Sequence, residues 1–195
     1  MKNEKIELDG ERVCLEPLEL GHLDELWLVA DEPDMWELAT DIIADKDGLE
    51  KYLQRAVNDR ENGSSVPFVI RDKISDKIVG STRFGNIDRT NRRTEIGWTW
   101  IGAEYRRTYV NTEMKYLMIG YAFDIWKCIR VELKTDVLNM RSRNAILRIG
   151  AKEEGILRNH IITSSGRYRD SIFFSIIETE WPAVRSAFES KLKVK

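Results

Sequence analysis

Apolar positions near the start of the chain recur with a period of two. Val13 and Leu15 open a strand in "RVCLEPLEL" at 12–20, which Pro17 interrupts. From Leu20 the spacing lengthens to that of a helix, with Leu23, Leu26, Trp27 and Ala30 on one stripe. A second helix is predicted over 48–63, where Leu49, Tyr52, Leu53 and Val57 share a face and Gly63 ends the run. Between them, "DEPDMWELATDIIADKD" fits either a short helix or a loop over a cavity. Residues 66–72 and 77–87 read as strands joined by "KISD", and 93–102 follow as a third. Three neighbouring strands with tight connections form an antiparallel meander. In the third, strict alternation puts Ile96, Trp98 and Trp100 on one face, with Glu95, Gly97, Thr99 and Ile101 on the other.

The period then changes. Residues 111–127 carry Met114, Leu117, Met118, Tyr121, Ala122 and Ile125 at helical spacing. A strand follows at 128–136, then a short helix over 139–150 with Gly150 as its C-cap. Residues 151–162 and 167–177 make a hairpin around "TSSG", and "WPAVRSAFESKLKVK" closes the chain as an amphipathic helix. No repeat, low-complexity segment or shift in composition divides the chain. The pattern predicts one α/β or α+β domain with a mixed sheet over residues 1–195.

Composition narrows the function classes. A formal net charge of -2 argues against an obligate nucleic-acid binder, whose domain is usually basic. With only His22 and His160 in the chain, a metal site built from three histidines is excluded, and no metal is expected. Cys14 and Cys128 are read as reduced, buried thiols with no histidine nearby in sequence. The charged start never develops the apolar core of a signal peptide, and no stretch reaches the length of a membrane span. A cytoplasmic location is expected, with no membrane partner.

The chemistry concentrates in "AEYRRTYVNTEMKYLMIGYAFD" at 103–124. A strand ends near Trp100, a loop follows, and a helix begins whose first amides lack intrahelical partners. That geometry suits a phosphate or pyrophosphate. Arg106 and Arg107 can add ion pairing, and Thr108 and Asn111 can add hydrogen bonds. The alternative is that Thr108 or Asn111 is simply an N-cap and the arginines face solvent. Neither G-x-G-x-x-G after the first strand nor G-x-x-x-x-G-K-[ST] is present, which disfavours dinucleotide binding and nucleotide hydrolysis.

The order strand, two helices, meander, loop, helix, strand, helix and hairpin resembles the GNAT superfamily of N-acetyltransferases, and within it the RimJ/RimL-type branch. The likeness covers about residues 10–177 and is carried by "GERVCLEPL", "EIGWTWIGAEYRRTYVNTEMKYLMIGYAFD", "RVELKTDVLNMRSRNAILRIGAKEEGILRNH" and "GRYRDSIFFSIIETEW". It implies a mostly antiparallel mixed sheet of about seven strands with helices on both faces. Acetyl-CoA is the implied cosubstrate and a primary amine the acceptor. The family's loop reads Gln/Arg-x-x-Gly-x-Gly/Ala, and its amides grip the coenzyme's pyrophosphate. Arg106 matches the first position, while Tyr109 and Asn111 stand where small residues are usual. The stretch Arg106, Arg107, Thr108, Tyr109, Val110, Asn111 and Thr112 is thereby implied to bind coenzyme. So is the backbone of Trp98, Thr99, Trp100 and Ile101, because the pantetheine arm lies where the family's fourth and fifth strands part; the Trp98 and Trp100 rings are either core aromatics or walls of an acceptor pocket. Asn139 reads as the N-cap of the helix that follows; the resemblance also implies its contact with that arm and proton delivery by Ser142 to the departing thiolate. Arg143 reaches the adenosine phosphates, an acidic partner or solvent.

Transfer of this kind is direct attack of a neutral amine on the thioester carbonyl, with a backbone N–H near Thr99 to Ile101 facing the developing oxyanion. Glu95 is the candidate base; otherwise it is a strand glutamate paired to Arg93 or another neighbour. Asp136 and His160 are weaker candidates for proton handling. An α-amine has a pKa near 8 and a lysine amine near 10.4, which favours a protein N-terminal α-amine. Small-molecule amine acetylation and a noncatalytic coenzyme- or peptide-binding module are the alternatives, and a homodimer is compatible with each; the carboxylates of "DEPDMWELATD" at 31–41 fit either a wall for a cationic acceptor or an ordinary surface helix.

Overall fold

The computed structural model describes residues 5–193; the first four residues of the charged start and the last two of the chain lie outside them. The elements run β1 (Leu8–Asp9), β2 (Val13–Pro17), α1 (Leu23–Ala30), α2 (Lys46–Glu61), β3 (Val66–Asp72), β4 (Lys77–Asp88) and β5 (Arg93–Ile101). Then come α3 (Tyr109–Gly120), β6 (Arg130–Asp136), α4 (Met140–Arg148), β7 (Lys152–Ile162), β8 (Tyr168–Ile177) and α5 (Trp181–Lys193). The segment read as helix or loop holds only a 3-10 turn at Pro33–Met35. The helix expected over 111–127 is α3 followed by a π-wound stretch at Tyr121–Ile125.

One sheet orders the strands β1-β2-β3-β4-β5-β6-β8-β7. It has eight strands, not about seven, because Leu8 and Asp9 pair back onto Leu15 and Cys14. Every neighbour pair is antiparallel except β5 with β6. Apolar side chains on one face join α3, α4 and α5 in a core around Phe84, Met114, Ile172, Phe174 and Phe188. On the other face Leu26, Leu49, Leu53 and Val69 pack under α1 and α2. Gly150 takes φ +94° directly after α4, the left-handed C-cap its position predicts.

The alternation expected along β5 fails in its middle. Arg83 faces Gly97 and Ser81 faces Trp100, so Thr82 alone opposes both Trp98 and Thr99. This is a β-bulge, with Trp98 at φ +51°. The extra residue inverts the faces beyond it. Ile96 and Ile101 lie in the α3-side core, whereas Trp100 lies in the α1/α2-side core. Trp98 and Trp100 therefore do not share a face with Ile96, as strict alternation required.

Candidate functional site

β5 and β6 pair over three residues only: Arg93 with Arg130, Thr94 with Val131 and Glu95 with Glu132. Beyond them β5 stays with β4 as far as Ile101, and β6 stays with β8 as far as Asp136. The two strands diverge, and the edges of Ile96–Ile101 and 133–136 face each other across a gap. The bulge lies on the β5 side of that gap. A bulge aims unpaired backbone groups away from the neighbouring strand. A residue as large as tryptophan in left-handed backbone costs about 1–3 kcal/mol, which surrounding structure must offset.

The gap runs toward the N-terminus of α3. A 3-10 turn at Ala103–Tyr105 leads out of β5, and Arg107 takes φ +64° just before the helix. Thr108 is the N-cap: its Oγ accepts from Val110 N at 3.3 Å and donates to Tyr105 O at 2.7 Å. Tyr109 is the first helical residue, and the left-handed turn falls on Arg107 instead. Tyrosine at the usual glycine position thus does not bend the backbone. Its ring turns away from the helix end, lies under the Arg12 guanidinium at 4.3 Å, and donates its hydroxyl to Asp72 at 2.5 Å. Burial and the Asp72 carboxylate push the Tyr109 phenol up to about 12. Burial pushes the Asp72 carboxyl up as well, but the Ser75 and Tyr109 hydroxyls outweigh it and the net shift is downward.

Two cationic side chains assigned to the coenzyme have protein partners. Arg106 forms a fork with Glu32 at 2.6 and 2.8 Å and donates Nε to Ile101 O at 2.8 Å. It holds the 3-10 turn to the loop after α1, and its guanidinium is not presented to a phosphate. Arg143 donates to Val137 O at 3.4 Å and lies 3.6 Å from Glu153. Arg107 is exposed beside the helix end, Asn111 is half-buried, and Thr112 accepts from Arg148 at 3.1 Å. That last bond ties α4 to the first turns of α3. Asn139 caps α4, accepting from Ser142 N at 2.9 Å, and Ser142 is half-buried beside it.

On the α1/α2 face, Glu95 is 3% exposed. Its Oε2 accepts from Asn86 at 2.7 Å and Lys134 at 2.8 Å, so its partners are not Arg93. Its Oε1 lies 3.0 Å from where a side chain on residue 97 would begin, and Gly97 leaves that space open. Lys134 is also 5.8 Å from the Trp98 ring, which places Trp98 on the Glu95 side. Arg83 sits between the rings of Tyr52 and Trp98 at 5.0 and 5.2 Å. Asp136 is buried and pairs with Arg167. His160 stacks edge-on against Phe173 at 5.3 Å, and burial with Lys134 and Arg169 nearby lowers its pKa. The stretch at 37–45 docks on the β7–β8 turn: Ser164 N donates to Thr40 O and Ile42 N to Ser164 Oγ, both at 3.1 Å. Two carboxylates expected to line a wall for a cationic acceptor are already paired, Glu32 with Arg106 and Asp41 with Arg55. Among the described residues there is no group of three or more His, Cys, Asp or Glu side chains able to hold a metal.

The sequence reading overlooked Asn86, Lys134 and Lys115. Nothing local marks the first two, which reach Glu95 from neighbouring strands. The bulge did have a signal, since an isolated glycine inside a strand often marks one, and Gly97 precedes Trp98.

A mixed sheet that splits beside a bulge and opens onto a helix N-terminus is the architecture of an acyl-coenzyme A transferase. The acetyltransferase (GNAT) domain matches residues 12–152, and the chain belongs to that family of N-acetyltransferases, for which acetyl-CoA is the cosubstrate. A GCN5-related N-acetyltransferase from Brucella melitensis superposes with a TM-score of 0.91 at 31% identity, covering 100% of this chain and 88% of that one. The uncharacterized N-acetyltransferase p20 of Bacillus licheniformis is 27% identical over 177 residues, 88% of this chain and 96% of that protein. YdaF of Bacillus subtilis (strain 168), provisionally named a ribosomal N-acetyltransferase, is 33% identical over 104 residues, 53% of this chain. That match spans about half of YdaF, 56% of its length.

Proposed function

We propose that this N-acetyltransferase acetylates an α-amine at a protein N-terminus, in the manner of the RimJ/RimL-type branch. The observation that carries the site is the three-residue pairing of β5 with β6. Past it, the bulge at Trp98–Thr99 and the opposite edge of β6 offer backbone groups to an extended thioester arm. The open amides after Arg106 receive the diphosphate. Arg107 is the exposed cation beside it. The Arg106 side chain braces the turn, so this residue contributes through backbone position and not by ion pairing.

Glu95 takes the proton of the incoming ammonium, directly or through one water. Asn86 and Lys134 hold its Oε2 and leave Oε1 beside Gly97 for that task. The neutral amine attacks the thioester carbonyl, whose developing oxyanion faces backbone N–H groups of the bulge. The C–N bond forms as the C–S bond breaks; Ser142 delivers its hydroxyl proton to the leaving sulfur and is reloaded by the proton the nitrogen sheds, through solvent, as it becomes an amide. At pH 7 a free α-amine is about a few hundredfold more abundant than a free lysine amine, which favours an N-terminal acceptor. The pairing of Glu32 and Asp41 removes two acids from a polyamine-type pocket, and the name of YdaF points to ribosomal protein acceptors.

The test is thiol release from acetyl-CoA across peptides of varied N-terminal residue and a panel of small amines. Peptide α-amines should turn over best, and Glu95→Gln should lower kcat by about 10²-fold or more. Equal rates for the parent and Glu95→Gln at low and high pH would remove Glu95 from the mechanism. Preference for small polyamines would overturn the acceptor class.

A further inference from the structure

α3 sends a cation into the sheet. Lys115 is 6% exposed and lies among the core residues Met114, Met118 and Ile119 of the same helix. Its Nζ donates to Thr99 Oγ1 at 3.2 Å. Thr99 is the second residue of the bulge and belongs to the part of β5 that has lost β6. The Thr99 hydroxyl in turn meets Thr82 at 2.8 Å, and Thr82 donates to Met118 Sδ at 3.7 Å. An ammonium has three donors, and one protein acceptor is present among the described residues. Among the described residues no carboxylate pairs with it. The one charge that bears on it, Glu95, lies on the opposite face and is already bonded to Lys134. Burial lowers the Lys115 amine to about 7.

A buried cation without a counter-charge is unfavourable, and proteins rarely keep one that nothing neutralises. We infer that Lys115 forms a carboxylate subsite at the acyl end of the gap between β5 and β6, so that the protein also takes thioesters of short dicarboxylic acids such as the succinyl or malonyl group. The inference rests on the thioester lying in that gap. A carbonyl seated at the bulge sets the acyl tail beside Thr99, whose hydroxyl the Lys115 amine meets at 3.2 Å, and a terminal carboxylate there completes an ion pair inside the protein. A methyl group would offer the amine no counter-charge. The chemistry is the same acyl transfer: the amine nitrogen bonds to the thioester carbonyl carbon, the C–S bond breaks, the amine's proton ends on the released thiol, and the distal carboxylate is unchanged.

The experiment is calorimetry of the full chain with free CoA, acetyl-CoA, malonyl-CoA and succinyl-CoA at pH 7.5, in two buffers of different ionisation enthalpy. One dicarboxylic thioester should bind at least about tenfold tighter than acetyl-CoA, and its binding should take up a proton as the amine regains its charge. In Lys115→Met the ratio of the two affinities should fall by about tenfold, together with the ratio of kcat/KM values. Tighter binding without proton uptake, or proton uptake that persists in Lys115→Met, would assign the effect to another group and overturn the subsite. Equal affinities of acetyl and dicarboxylic thioesters in the parent would overturn it while leaving the acetyltransferase reading intact. Failure of every CoA species, free CoA included, to bind would overturn both.

Discussion

At the scale of single residues, this protein keeps two kinds of buried charge. Glu95 is neutralised where it lies, by Lys134 and Asn86. Lys115 is not, and its lowered pKa carries a thermodynamic consequence. An unfolded lysine holds its proton up to about 10.5, whereas the folded one releases it near 7. Below pH 7 both states are protonated and stability is flat with respect to this group. Between those values the unfolded state binds more protons, so stability rises with pH. Lys115→Met should therefore be more stable than the parent, by on the order of 2–3 kcal/mol at pH 6, with the gap shrinking toward pH 9. Urea unfolding at both pH values reads this out. A gap that stays constant with pH would mean that Lys115 is not desolvated as described.

At the scale of elements, the loop into α3 shows a change of residue type absorbed without a change of backbone. Tyr109 occupies a position where small residues are usual, yet the left-handed turn has moved to Arg107 and the phenol is tied to Asp72. The helix is capped by Thr108. Thr108→Ala should lower stability by about 1 kcal/mol and weaken coenzyme binding, because the same turn presents the open amides. Denaturant melts and coenzyme titration check the two effects separately, and a loss of affinity without a loss of stability would assign Thr108 to the ligand alone. The bulge is the second such element. A Cβ on residue 85 would lie 2.3 Å from the Trp98 ring, so Gly85→Ala must displace Trp98. That should raise KM for the amine with little change in coenzyme affinity. Unchanged acceptor kinetics would show that Trp98 is not part of the acceptor face.

At the scale of the whole molecule, the proposed coenzyme site spans a helix end, two strands that no longer pair, and the turn braced by Arg106 and Glu32. Ligand that binds only the folded state stabilises it by about 2.7 kcal/mol at a hundred times its Kd. For a chain of this size that corresponds to a rise in Tm of about 5–10 °C. Scanning calorimetry with and without CoA gives the number, and no shift at millimolar CoA would exclude the gap as a coenzyme site. Arg106→Ala should reduce the shift, since the fork joins residues 74 positions apart in the chain. The same distance explains why that role was not legible locally, where two adjacent arginines before a helix read as anion ligands.

The order and type of nearly every element follow from the sequence alone, because burial of one face imposes a period of two or 3.6 that local residues carry. The meander, the helix after the loop, the left-handed Gly150 and the buried free cysteines are legible for that reason. Which side chains meet is a different matter. The inverted faces of Trp98 and Trp100, the pairing of Arg106 with Glu32, the triad of Glu95, Asn86 and Lys134, and the burial of Lys115 were decided only by tertiary structure. One unpaired residue in a ladder reverses every side chain beyond it, and a charge is oriented by partners brought close in space from distant positions in the chain.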